Sequence, residues 1–273
     1  MGTIEEIADI MREKRTLVVT GAGMSTDAGL PDYRGQGTTE EPSVDYDMFV
    51  RDAVWQRWVW QRNHETWQIM AALTPTPGHV ALAQLERAGF ISGVATQNID
   101  GLDAAAGIRH LWELHGTYRT VRCLDCDAVI ARDEYDKLEQ KLNPGWPRLD
   151  LGVAILASAN RRDAEASTFR VAPCPRCGGL VKPSVVFFGE GLPADAMDGA
   201  MAAASEAEAV LVVGTSLLVS TGMWVVRQAW AHGAPVMIIN RGPTAGDSIA
   251  SVRVEAGASE SLSQIAALLE AGA

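Results

Sequence analysis

The 273-residue chain has four cysteines, no run of basic residues and no apolar stretch long enough to cross a bilayer. Each shortage excludes something. Lys and Arg total 23 against 34 Asp and Glu, a formal charge of -11. A nucleic-acid backbone needs the opposite field, so no nucleic-acid partner is expected. The longest apolar stretch, Val210 to Val219, is broken by Gly214, Thr215 and Ser216, which argues against a membrane partner. The opening MGTIEEIADIMREK is acidic and amphipathic where a secretory signal is basic and then apolar, and Glu6 spoils the myristoylation pattern of Met1-Gly2. The expectation is a soluble, cytoplasmic protein.

What remains is a chain long enough for one large domain carrying a smaller one. β-like runs bounded by turn residues occur at Thr16–Thr20, Phe90–Thr96, Leu111–Leu114, Ala209–Val213 and Val236–Ile239. Helical patterns lie among them at Ile4–Met11, Ala53–Leu73, His79–Ala88, Ala194–Ala204 and Gly222–Ala231. This alternation predicts an α/β fold, a Rossmann-like parallel sheet covered by helices on both faces. It stops near Tyr118 and resumes near Val185, and all the cysteines fall in the gap. The expected domains are therefore 1–117 with 184–273 for the Rossmann-like part and 118–183 for an inserted module, the latter completed by part of the helical segment 36–75.

Ligands of such sheets sit beyond the carboxyl ends of the strands. The residues there are Gly21-Ala22-Gly23, Gln97-Asn98-Ile99-Asp100, His115-Gly116, Gly214-Thr215-Ser216 and Asn240-Arg241-Gly242. All are polar or glycine-rich, as the lining of one crevice should be.

The cysteines form two Cys-x-x-Cys pairs, Cys123/Cys126 and Cys174/Cys177, separated by residues 127–173. That set matches a closed, tetrahedral structural zinc site. Two disulfides or an iron–sulfur cluster would use the same four residues; a cytoplasmic setting disfavours the first.

The stretch GAGMSTDAGLPDYRG (21–35) starts like a dinucleotide loop, but Thr26 stands where the third glycine belongs. Glycines alone indicate only a tight turn. Ser25 and Thr26 add hydroxyls, and the turn adds backbone N–H groups, all suited to phosphate. Asp32, Tyr33 and Arg34 follow on a proline-started loop fit to close over the far end of a cofactor. Asn240 ends a strand about where a dinucleotide fold binds ribose.

GAGMSTDAGLPDYRG, TQNIDGLD (96–103), LHG (114–116), the paired Cys-x-x-Cys, KPSVVFFGE (182–190) and GTSLLV (214–219) together resemble the sirtuins, in order and over about Ile7 to Leu268. The resemblance implies an NAD-dependent protein lysine deacylase, in which an acyl oxygen attacks the ribose carbon bearing nicotinamide and NAD is consumed. It implies catalytic roles for His115 as general base and for Asn98 and Asp100 as orienting groups. It implies NAD contacts from Gly21, Ala22, Gly23, Thr26, Asp32, Tyr33, Arg34, Gln97, Asn98, Asp100, Gly214, Thr215, Ser216, Asn240, Arg241, Gly242 and Ala258. Val186, Phe187, Phe188, Gly189 and Glu190 would meet the substrate, partly by strand addition. Zinc would be structural and single. Acylated lysines of proteins would be the partners, met by a monomer.

His64, His79, His110 and His232 read as ordinary core or surface histidines, and the tryptophans Trp55, Trp58, Trp60 and Trp67 as core. Val219-Ser220-Thr221-Gly222 departs from the proline-alanine pair common in the family. With the wide cysteine spacing and Leu142-Asn143-Pro144-Gly145-Trp146, it resembles the class II branch. In members that prefer acidic acyl groups a Tyr and an Arg stand where Trp58 and Gln61 fall here, which disfavours desuccinylation. The nearest rival activity is protein ADP-ribosyl transfer at the same site. A noncatalytic NAD sensor and a dehydrogenase are further alternatives.

Overall fold

The computed structural model describes residues 2–30, 44–147 and 161–271. The chain divides into two compact units, Met1–Asp32 with Thr74–His115 and Leu192–Ala273, and Tyr33–Leu73 with Gly116–Gly191.

Among the described residues of the first unit, six strands form one parallel sheet: β1 (Thr16–Thr20), β2 (Ile91–Thr96), β3 (Leu111–Glu113), β7 (Ala209–Val213), β8 (Val236–Ile239) and β9 (Ala250–Val254). Their order is β3-β2-β1-β7-β8-β9. β7 reads as an unbroken apolar run because both its faces are covered. Leu211 and Val213 join Val18, Leu82, Met237 and Ile265 on one side, while Val210 and Val212 join Leu17, Val19, Val225 and Ile238 on the other. The chain runs outward from β1 through β2 to β3 and then returns to β7 on the other side of β1, so the order reverses between β1 and β7 and a crevice opens above their carboxyl ends.

The sequence patterns located five of these strands to within one residue at each end. β9 and the helix Ala258–Glu270 had not been anticipated. β9 is a half-buried edge strand, ASVRV, with too little apolar contrast to stand out. Capping explains where the first helix, Ile4–Glu13, begins: the Thr3 hydroxyl accepts from the Glu6 N–H, and the Glu6 carboxylate takes the Thr3 N–H in return.

The second unit is built on an antiparallel sheet in the order β5-β4-β6, from β4 (Gly116–Cys123), β5 (Val129–Ala131) and β6 (Val181–Val185). It packs against the helices Ala53–Ala72 and Arg132–Leu142 around Phe49, Trp60, Val121, Tyr135, Phe169 and Val181. The Trp60 indole donates to the Val181 carbonyl at 2.9 Å, and Trp55, Trp58, Trp60 and Trp67 are all buried. Arg132, fully buried, stacks over Trp60 and Trp67 with 5.3 Å to each ring and pairs with Glu139 at 3.3 Å. His64, read from the sequence as an ordinary residue, is also buried, 3.0 Å from Asp136.

Gly116 opens β4 with φ 71° opposite Val185, and a Cβ there would lie 1.9 Å from the Ser184 carbonyl oxygen. No rotamer relieves a clash with backbone. Gly116→Ala should therefore lower the melting temperature by about 5 °C or more, read by differential scanning calorimetry.

Candidate active site and metal centre

At the carboxyl end of β1 the chain turns through two short 3-10 segments, Ala22–Met24 and Thr26–Ala28, where a Rossmann fold would start its first helix. The glycines are required by what lies opposite. A Cβ on Gly21 would come within 2.6 Å of Thr215 Cβ, and one on Gly23 within 2.8 Å of the Gly214 Cα. The Gly23 N–H donates to the Gly214 carbonyl at 2.8 Å, and Gly214 itself has φ 62°. Two loops thus meet backbone to backbone. Thr26 is exposed, with its hydroxyl on the Gly23 carbonyl, so its side chain takes no part in that approach. Asp32, Tyr33 and Arg34 lie outside the described residues.

The loop after β2 is fixed against the same turn. The Asn98 amide donates to the Gly21 carbonyl at 3.0 Å and to Ser25 Oγ at 3.2 Å, and the Ser25 hydroxyl donates to Asp100 at 2.7 Å. The other oxygen of Asp100 accepts the Leu102 N–H at 2.8 Å. Ser25 is buried with its proton committed to Asp100, so its main role is to join the two loops.

Gln97 is the junction of the crevice. Its N–H donates to the Thr20 carbonyl, its side-chain oxygen accepts from the Thr215 hydroxyl at 2.8 Å, and its amide donates to the Val219 carbonyl at 3.2 Å. Its own carbonyl takes the Nδ1–H of His115 at 2.9 Å. A carbonyl only accepts, so Nδ1 carries the proton of the neutral ring and Nε2 keeps the lone pair. Burial holds the His115 pKa below its ordinary 6.5, opposed by the Gln97 carbonyl, so the ring is a neutral base at pH 7. The Thr221 hydroxyl donates to Nε2 at 2.7 Å.

On the far side of β7, the Ser216 carbonyl accepts from Ala245, and Asn240 directs its amide protons to the carbonyls of Arg241 and Gly242 at 3.0 and 3.1 Å. Both amide protons of Asn240 are thereby committed within its own loop. Arg241 lays its guanidinium across Gly257, where a Cβ would meet Nη2 at 2.7 Å, next to Ala258 at the head of the last helix. That helix start packs beside Met24 and Gly78, adding positive potential near the first loop.

Three groups beneath these loops were not assigned to the site from the sequence: Thr96, His79 and Asp103. Thr96 takes the Asn98 N–H at 3.1 Å and the Thr20 hydroxyl at 2.8 Å, and it bonds Asp103 in turn. His79 accepts the Thr76 N–H on Nδ1, which leaves its Nε2–H aimed at Asp103 Oδ1, 3.9 Å away and too far for a hydrogen bond. Threonines and a lone histidine carry no motif, so only the packing of the helix Pro77–Arg87 against the helix Leu102–Ala105 reveals them. Thr221 was visible in outline, because Val219-Ser220-Thr221-Gly222 is where the chain departs from the common family pattern.

In the second unit, Val186 to Glu190 continue beyond β6 as a turn. The Phe187 N–H goes to the Glu190 carboxylate at 2.9 Å, and the Phe188 carbonyl takes the Tyr46 N–H at 3.0 Å. Phe187 packs edge-on against Phe49, Phe188 is 72% exposed, and Gly189 has φ 79°. Buried Lys182 clamps the turn by pairing with Glu190 at 3.0 Å. Beside Trp58 and Gln61 a cation does occur, Arg62, stacked on Trp58 at 4.6 Å and paired with Glu65 at 3.2 Å.

The four cysteine sulfurs lie within 4.8 Å of one another, with Cys123–Cys177 at 3.5 Å and Cys126–Cys174 at 3.9 Å. A disulfide needs about 2 Å, whereas thiolates about 2.3 Å from a central zinc stand roughly 3.8 Å apart. The set fits one zinc ion with no open position. Both knuckles close alike, with the residue after the second cysteine left-handed: Asp127 at φ 55° and Gly178 at φ 79°.

A doubly wound sheet with its polar crevice at the switch point defines a nucleotide-binding α/β protein. The Sir2 family model matches residues 21–221, and the chain belongs to the Sir2 family. "NAD-dependent protein deacetylase 1" of Mycobacterium avium (strain 104) is 40% identical over 264 residues, 96% of this chain and 94% of that one. "NAD-dependent protein lipoamidase sirtuin-4, mitochondrial" of Bos taurus is 37% identical, over 94% of this chain and 85% of its own. A structure described as "Structural Basis for the Mechanism and Regulation of Sir2 Enzymes" aligns with TM-score 0.77 at 31% identity, over 99% of this chain and 98% of that one. A Sir2 complex with a p53 peptide and NAD+ aligns with TM-score 0.76 at 29% identity, over 99% and 98%. The family, the α/β fold and the zinc module agree with the sequence reading.

Two outcomes test this geometry. Metal analysis should find one zinc per chain, and Cys126→Ser should lose it together with the cooperative unfolding of the second unit. Asp103 has its pKa raised from 3.8 to about 7, chiefly by burial and then by Asp100. The folded state therefore holds a proton that the unfolded chain releases, and stability from this group falls as pH rises from about 4 to 7. Asp103→Asn should raise the melting temperature relative to wild type at pH 8, with the gain vanishing near pH 4.

Proposed function

We propose that this protein is an NAD-dependent protein lysine deacylase, transferring the acyl group of a modified lysine to ADP-ribose with release of nicotinamide. The observation that carries the reading is the neutral His115 at the strand-end crevice, its Nδ1–H fixed on the Gln97 carbonyl and its Nε2 lone pair bonded to the Thr221 hydroxyl. Bound NAD supplies the ribose that accepts the acyl group. The residues of this chain do the rest.

In this reading Gly21, Ala22 and Gly23 present backbone N–H groups to the diphosphate, helped by the start of the helix at Ala258. Thr26 lies at the rim of that loop. Asn98 and Asp100, preset through Gly21 and Ser25, orient the nicotinamide end, where groups fixed in advance cost no reorganisation during reaction. Gln97 and the Gly214-Thr215-Ser216 turn support them. The Asn240 oxygen takes a ribose hydroxyl, with Arg241 and Gly242 alongside. His115 removes a proton from a ribose hydroxyl as general base.

Val186, Phe187, Phe188, Gly189 and Glu190 receive the substrate backbone. In this reading residues 1–117 and 184–273 hold the dinucleotide, and 118–183 with part of 36–75 form the zinc-braced module. Zinc is structural, since four thiolates leave it no place for a reacting atom.

The relatives named as deacetylase and lipoamidase favour deacylation over ADP-ribosyl transfer. Four cysteines disposed as metal ligands suit a reducing compartment, which supports a cytoplasmic location. Each unit buries its own apolar core within one chain, which supports a monomer, and size-exclusion chromatography tests it.

The decisive assay is a panel of acetyl-, lipoyl-, long-chain- and succinyl-lysine peptides read by mass spectrometry with and without NAD. Free lysine and acylated ADP-ribose should form together. ADP-ribose on protein without free lysine would instead establish transfer. His115→Asn should cost about 10²–10⁴-fold in rate. The wild-type kcat/KM should fall on acidification through a midpoint below 6.5, because protonating His115 removes the base.

A further inference from the structure

We propose that Thr221 is a proton relay for His115, standing between the imidazole and the hydroxyl that loses its proton. The inference deepens the proposed function and rests on its reading of His115 as the base. The ring has one lone pair, on Nε2, because Nδ1 is pinned to Gln97, and that lone pair is filled by the Thr221 hydroxyl at 2.7 Å. Thr221 is 6% exposed, so bulk water does not compete freely for this contact.

Gln97 fixes both ends of the arrangement. Its carbonyl sets the imidazole, while its side-chain amide donates to Thr221 Oγ at 3.4 Å and to the Val219 carbonyl at 3.2 Å, anchoring the start of the helix Ser220–Ala231. Gly222 permits this anchoring, since a Cβ there would lie 2.8 Å from the Gln97 side-chain oxygen. The Val219 helix cap makes no side-chain bond, so the threonine hydroxyl is not spent on capping.

A hydroxyl suits the post because it both donates and accepts. Beside neutral His115 it donates to Nε2; beside the imidazolium it accepts from Nε2–H. In the transfer the substrate O–H bond breaks as its proton joins Thr221 Oγ, while the proton of Thr221 passes to Nε2. Thr221 ends with one proton, the ring becomes imidazolium and the substrate oxygen carries the negative charge. No other reactant is needed.

The test compares Thr221→Val, which keeps the shape and removes the hydroxyl, with Thr221→Ser, which restores it. Thr221→Val should lower kcat by about tenfold or more, with KM for NAD and for the acyl peptide within about twofold of wild type. The acid limb of kcat/KM should also move, because the hydroxyl that bonds Nε2 in both states of the ring is gone. Thr221→Ser should recover both properties. A merely structural role would lower the melting temperature and leave the acid limb in place, and that result overturns the proposal. Should His115→Asn be inactive while Thr221→Val keeps wild-type kcat and pH profile, the relay alone fails. Should His115→Asn retain wild-type rate, the reading of His115 as base fails first and the relay with it.

Discussion

The crevice depends on one close approach, the Gly23 N–H on the Gly214 carbonyl with no side chain between the two loops. These loops leave the adjacent central strands β1 and β7, whose backbones run in unbroken register from Thr16 opposite Ala209 to Thr20 opposite Val213. Any Cβ at Gly21 or Gly23 would push the loops apart. The turn continues into short 3-10 segments, so the third glycine of a dinucleotide loop has no helix to pack and Thr26 is tolerated there.

From that approach the rest of the site is built by polar side chains that spend themselves on each other. Ser25 and Asp100, Asn98 and Gly21, Gln97 and Thr215 are bonded pairs that set geometry before any ligand arrives. Buried polar groups of this kind stabilise the fold only when satisfied, and here satisfaction also fixes the orientation of His115. The misfit is below, where His79 and Asp103 face each other beyond hydrogen-bonding distance. Burial and the neighbouring Asp100 raise the pKa of that carboxyl to about 7, so it is only partly ionised near neutral pH.

The second unit solves a different problem. Its three-stranded sheet is small, and the module takes rigidity from elsewhere: a sulfur cage at one end, and a core of Trp60, Tyr135 and Phe169 around the buried Arg132–Glu139 pair. Removing either partner of that pair would strand a charge in apolar surroundings, which makes the contact more a constraint on one arrangement than a source of net stability.

Local chemistry made the sheet, the strand-end loops, the cysteine knuckles and the Sir2 likeness legible in the amino-acid order. Apolar strands buried on both faces are continuous runs, and a Cys-x-x-Cys carries its geometry in its spacing. The edge strand Ala250–Val254 and the final helix lacked such contrast. Three decisions belonged to tertiary structure: the tautomer of His115, the hydroxyl of Thr221 on its Nε2, and the Thr96–Asp103 floor. Each joins side chains that sequence separation or plain residue type conceals, and a hydrogen bond between distant residues exists only once the chain has closed on itself.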